Sequence, residues 1–229
     1  MSGIIVGNVI VAAIVLVVAG RLYGKWLTLR RAEFIRTFRW PPGLLKRLEK
    51  HHPGFERKDS ALVSRGLRQF FLAHLMSGKR YVSMPSQVAD DLWHEFILYT
   101  RDYDAFCRRA FGGFLHHTPA VVLSEHRKDN EGLRRVWWYC CKYENIDPVN
   151  PTRLPLLFAL DSKFNIANGF VYQPDCKALR KNGSGDGHCG GDFADTSFDG
   201  SSDGFGDSGS DAGGDGGGGD GGGGGCGGD

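Results

Sequence analysis

The stretch MSGIIVGNVIVAAIVLVVAG, residues 1–20, decides how the rest of the chain is read. It holds no charged side chain, and Ile4 to Ala19 is Ile, Val, Leu and Ala broken only by Gly7 and Asn8. Twenty helical residues rise about 30 Å, the thickness of a bilayer core. The core helix of a soluble protein usually keeps a polar face, and this segment has none. A cleaved secretory signal opens on Lys or Arg, whereas Met1-Ser2-Gly3 offers only the α-amine. Ala19 and Gly20 still leave a small-residue cleavage site open. The reading is a transmembrane helix over 3–20.

Charge then orients it. Arg21, Lys25, Arg30, Arg31, Arg36 and Arg39 follow the span, with only Glu33 against them. Positive charge stays in the cytoplasm, so the N-terminus is expected outside and the body inside, at a bacterial inner membrane. Residues 21–42 read as a basic juxtamembrane segment. Tyr23, Trp26, Phe34, Phe38 and Trp40 lie among its arginines, as at a helix end anchored on headgroups. An ordinary solvated helix continuing the span reads equally well. Six cysteines, at 107, 140, 141, 176, 189 and 226, show no compact disulfide framework.

The body, 43–180, reads as an all-α bundle of about five helices. Pro41-Pro42-Gly43 stops the juxtamembrane helix. Leu44 to Lys50 is a short helix, and Asp59 or Ser60 can cap the next, whose Val63, Leu67, Phe70, Phe71 and Leu75 share a face. Gly78 is its natural stop. His74 lies on that face, where a hydrogen-bonded core histidine is expected. Val88–Thr100, a segment through Phe106 and Ala110, Glu131–Glu144 and Leu154–Leu160 supply the remaining helices. Short extended pairing is possible around Phe170 to Tyr172.

Residues 181–229 are a Gly/Asp-rich tail without periodicity, expected to be disordered because it lacks apolar content to offset chain entropy. All 28 basic residues precede Gly190 and meet 17 acidic ones, so the body carries +11 and the nine later aspartates give −9. A basic body need not bind nucleic acid, and no motif for nucleic-acid recognition is present.

The densest chemistry runs from Met84 to Phe96 and on through Tyr103, Cys107 and Gly112-Gly113 to His116-His117. The patterns D-x-x-W-H-x-F-I-L-x-T-x-x-Y-x-x-F-C, from Asp90 to Cys107, and F-G-x-F-x-H-H-x-P, from Phe111 to Pro119, carry a resemblance. Residues 60–145 are similar to the glycine-rich domain-containing protein-like group of bacteria and plants. The resemblance implies a helical domain, the Gly-rich tail is consistent with it, and it supplies no substrate, cofactor or catalytic residue.

His94 follows Asp90 and Asp91 at helical spacing, so either carboxylate can orient its ring from a second shell. His94, Cys107, His116 and His117 could together hold a zinc ion if the chain folds back after Gly113. Cys107 could instead be a thiolate nucleophile beside His94 or His117, with Arg108 and Arg109 lowering its pKa. The third reading is packing: Trp93, Phe96, Tyr103 and Phe106 as core, the histidines fastening a loop. Two functions stand side by side. One is a membrane-tethered interaction module that engages the lipid bilayer and a protein partner. The other is a zinc-binding or Cys/His-dependent enzyme. Whether the chain is an enzyme at all stays open at this point.

Overall fold

The computed structural model describes residues 2–117, 131–174 and 188–189. Among the described residues there are seven helices and one short parallel strand pair, and the fold class is all-α. The strands are Tyr172–Gln173 and His188–Cys189, with Tyr172 opposite His188. The tail beyond residue 189 and the cysteines Cys176 and Cys226 lie outside the described residues.

Helix α1, Ser2–Thr37, is one uninterrupted element of 36 residues. Of the two readings of residues 21–42, the helix that continues the span is the one the backbone takes, as far as Thr37. Its apolar part is exposed on every side, from Val9 through Leu22, and its window from Gly7 is long and apolar enough to cross a membrane. Further along, Ala32 and Ile35 are buried at 1% and 0% exposure. The last turns of α1 are thus part of the core. Arg68 fixes them: its guanidinium donates to the carbonyls of Ile35 at 2.9 Å, Arg36 at 3.1 Å and Phe38 at 2.7 Å. Those carbonyls are the ones a helix C-terminus leaves without partners.

Helix α2, Leu44–His51, and helix α3, Arg57–Met76, follow. Glu56 caps α3 in a reciprocal box with Asp59, so Asp59 lies inside the first turn instead of capping it. Helices α4, Gln87–Leu98, and α5, Thr100–Phe111, are joined at Tyr99. Helices α6, Glu131–Tyr143, and α7, Leu156–Phe164, complete the set. Helix α3 is the hub and packs on α1, α2, α4, α6 and α7. Its Val63, Leu67, Phe70 and Phe71 are fully buried, as the spacing predicts. Phe71, Phe96, Phe106 and Phe38 form an aromatic centre, with Phe38 and Phe106 centroids 4.7 Å apart. His74 is buried, and its Nδ1 lies 3.0 Å from the Arg80 carbonyl. Burial lowers its pKa, which makes it the neutral core histidine expected.

Glu144 ties three elements together. It accepts from Gln69 Nε2 of α3 at 2.8 Å, from the Leu156 N–H that opens α7 at 2.6 Å, and from Arg153. Burial pushes its carboxyl up, and the Leu156, Gln69 and Arg153 donors outweigh that and hold it below the ordinary value of 4.5. A carboxyl depressed in the folded state contributes stability above its unfolded pKa and loses it as pH falls through the folded one. Glu144→Gln is expected to cost about 2 kcal/mol at neutral pH, because one amide oxygen replaces a charged acceptor of three donors. The gap from wild type should close below about pH 4 in acid titrations of chemical denaturation. A gap that stays constant as the pH falls well below that would remove the charge from the explanation.

Candidate metal centre

Helix α4 begins at Ser86, whose Oγ accepts from the Ala89 N–H at 3.3 Å. A second group completes this end. Asp161 of α7, only 3% exposed, accepts from Ser86 Oγ at 2.7 Å and from the Gln87 and Val88 N–H groups at 2.7 and 3.2 Å. It also accepts from the Phe170 N–H at 2.9 Å. A carboxylate at a helix N-terminus takes up N–H groups that have no partner within the helix and meets the positive end of its dipole. The register of α4 is fixed there, one turn ahead of Asp90.

From that turn Asp90 and His94 project on the same side, four residues apart. His94 Nδ1 lies 3.5 Å from Asp90 Oδ2. The chain after α5 supplies the third group. Gly112 ends α5 in the left-handed region at φ 79°, which turns residues 113–117 back over α4. Two hydrogen bonds lock the return: Trp93 Nε1 donates to Tyr103 Oη at 3.1 Å, and Tyr103 Oη donates to the Leu115 carbonyl at 2.6 Å. His117 is thereby set against the face of Trp93, centroids 4.7 Å apart, with its Nε2 3.0 Å from Asp90 Oδ1. The two imidazole centroids lie 4.2 Å apart. One ligand atom from each of Asp90, His94 and His117 falls within 4.8 Å of the others.

Not every residue singled out in the sequence joins. Cys107 is fully buried under the returning chain, hydrogen-bonded to Tyr103 and the Leu115 backbone, and burial raises its thiol pKa. Arg108 and Arg109 do not lower it: Arg108 pairs with Asp104 at 2.9 Å and Arg109 covers the Phe34 ring at 4.4 Å. Cys107 therefore lacks the thiolate character that a nucleophile or a soft ligand needs. His116 is exposed and leans on Phe114 instead. Asp91 turns away from His94 and pairs with His52 Nε2 at 2.8 Å and Gln87 Nε2 at 3.1 Å. Asp90 moves from the second shell to the centre of the cluster. His52 and Asp161 have no local signal in the sequence beyond their type, since their partners are 39 and about 75 residues away.

The cluster opens on a cleft of about 100 Å³. Asp90, Trp93 and His117 line it together with Ser83, Ser86 and Phe170. Asp90 and His117 are largely shielded, at 21% and 13% side-chain exposure, while His94 at 52% faces solvent. Two imidazole nitrogens and one carboxylate form a hard-to-borderline donor set suited to zinc and neighbouring divalent ions. Such a set leaves at least one coordination position for water or a small ligand.

The comparisons give a family without a described activity. No curated protein and no solved structure matches the chain. A family model does match, over residues 30–193, starting where α1 enters the domain and leaving the apolar span outside. The chain belongs to the UCP032817-like family.

Proposed function

We propose that this protein is a membrane-anchored domain that holds a divalent transition ion, zinc foremost, on Asp90, His94 and His117. The carrying observation is the spacing of the donors. Tetrahedral bonds of about 2.0–2.1 Å place neighbouring ligand atoms roughly 3.3 Å apart. His117 Nε2 lies 3.0 Å from one Asp90 carboxylate oxygen and His94 Nδ1 3.5 Å from the other, and one donor atom from each of the three residues lies within 4.8 Å of the rest, so a small side-chain adjustment brings them to that spacing. A neutral imidazole keeps one nitrogen lone pair, so in the matching tautomer the nitrogens that face the carboxylate can bind a metal. With three protein ligands the ion keeps a position toward the cleft, the arrangement in which zinc activates bound water.

Anchoring supports the other half of the reading. A long helix exposing Val, Ile and Leu on all sides has no stable place in water. The basic residues behind it favour the body on the cytoplasmic side.

The test is the metal content of the full chain, purified in detergent without a metal-affinity tag and measured by plasma mass spectrometry. About one ion per chain is expected after growth with zinc, in keeping with a single three-ligand site. Less than about a tenth of an ion, unchanged by added zinc, would sink the proposal and leave the cluster as hydrogen-bonded loop fastening.

A further inference from the structure

The geometry points to a second contact between this protein and the membrane: the C-terminal end of α5 rests on anionic phospholipid headgroups. The inference rests on α1 spanning the bilayer and is independent of the metal.

The first step is the absence of a spacer. Some twenty residues cross about 30 Å of hydrocarbon, and four or five more pass the headgroup layer at 1.5 Å each. Counted from residue 3, where the apolar span is read to begin, that layer ends near residue 27. Leu27 and Thr28 are already half-buried, whereas α1 is exposed on every side from Gly7 to Trp26. The continuous helix carries the body directly into the lipid surface with no hinge between them.

The second step is which face is presented. Along α5 the partners on α1 shift steadily toward the span. Phe106 lies against Phe34 and Phe38, Arg109 covers Phe34, and Gly112 approaches the Arg31 guanidinium. Helix α5 therefore runs antiparallel to α1 and points its last turn at the membrane. That turn carries exposed Arg108 and Arg109. Arg108 shares its charge with Asp104, and Arg109 is held over the Phe34 ring with no carboxylate paired to it among the described residues. With Arg30 and Arg31 of α1 they make a basic collar within about a Debye length of the headgroups, and Arg21 and Lys25, about 8–15 Å nearer the span at 1.5 Å per residue, extend the positive charge toward the lipid. Tyr23 and Trp26, stacked at 5.8 Å and exposed, sit just below as an interfacial belt. The net charge of the collar selects an anionic leaflet over a zwitterionic one.

Gly113 offers a reporter position. It is exposed, and a Cβ there meets nothing within 4 Å. The experiment uses the full chain with Cys176, Cys189 and Cys226 changed to Ser and Gly113→Cys labelled with a fluorophore. The remaining thiols, Cys107, Cys140 and Cys141, are buried. The protein is placed in vesicles of phosphatidylcholine, alone or with phosphatidylglycerol, each carrying a headgroup spin-label quencher. Quenching is expected to be at least about twofold stronger with phosphatidylglycerol, and to fall back with Arg108→Ser plus Arg109→Ser or in about 0.5 M salt. A label at Ala61→Cys, exposed at the opposite end of α3, should stay dark to the quencher in both lipids. An alkaline wash separates the failures. Loss of the chain from the vesicles overturns the spanning helix and this inference with it. A chain that stays embedded but is quenched equally in both lipids overturns the lipid contact alone.

Discussion

Asp161→Ala is expected to be the most destabilising single substitution outside the aromatic centre, costing about 3 kcal/mol or more. Four donors converge on this carboxylate, from Ser86 Oγ and the N–H groups of Gln87, Val88 and Phe170, and all are at least partly buried. Hydrogen bonds to a charged group contribute about 1.5–3 kcal/mol each, and buried donors left without a partner cost about 1–3 kcal/mol, though neither sums simply. The charge itself is balanced by the α4 dipole and by these neutral donors, so removing it releases no stranded cation. Asp161→Asn should be nearly as harmful, since its amide group presents donors where donors already point. A domain of marginal stability, about 5–15 kcal/mol, would lose a large share. Thermal unfolding of the detergent-solubilised chain should drop by about 10 °C, read as loss of helical circular dichroism. Amide exchange should rise first at Gln87, Val88 and Phe170. A cost below about 1 kcal/mol for both variants would mean that water replaces the carboxylate without penalty.

Particular residues show why some of this was legible in the sequence. Helical periodicity finds α3 because Val63, Leu67, Phe70 and Phe71 repeat on one face whatever they pack against. Gly78 and Gly112 mark helix ends because a left-handed residue is needed there, at φ 73° and 79°. The burial of the last turns of α1 in the core was not legible. Arg30, Arg31 and Arg36 look solvated by type, and only the presence of Phe106 beside Phe34 and Arg68 beside the Ile35 carbonyl makes the last turns core. The site divides in the same way. Asp90 and His94 share a helix, so their proximity is a matter of spacing. His117 reaches them through a tertiary return fixed by Tyr103 and Trp93. Cys107 carried the chemistry of a ligand in its name alone: burial beneath the returning chain raises its thiol pKa, and the hydrogen bonds from Tyr103 and the Leu115 backbone do not offset that. The hubs at Asp161 and Glu144 stayed invisible because a buried carboxylate is defined by distant donors, and no short-range pattern encodes Ser86 or Gln69 as the partner.

The division between Asp90, His94 and His117 on one side and Cys107 on the other yields the second large effect. Asp90→Ala and His117→Ala are each expected to weaken zinc binding by at least about a hundredfold. Loss of an outer partner of a ligand alone costs about 10–100-fold, and a direct ligand should cost more. His94→Ala should follow with a similar loss, although its greater exposure lets water enter its position more easily. Cys107→Ser should leave the affinity unchanged, because the thiol lies beneath the returning chain and away from the donor set. The readout is the shift in melting temperature with added zinc. A ligand at a hundred times its dissociation constant stabilises by about 2.7 kcal/mol, or about 5–10 °C for a domain of this size. That shift should vanish in the three ligand variants and persist in Cys107→Ser. His117→Ala also removes the ring packed on Trp93, so its basal stability must be compared without metal. A variant that melts lower yet keeps the full zinc shift would assign His117 to packing. Asp90→Asn separates the two roles, since the amide keeps a hydrogen-bond partner for one imidazole and weakens the metal bond. Retention of the zinc shift in Asp90→Asn together with its loss in Cys107→Ser would place the metal on the buried side of the loop and overturn the centre described above.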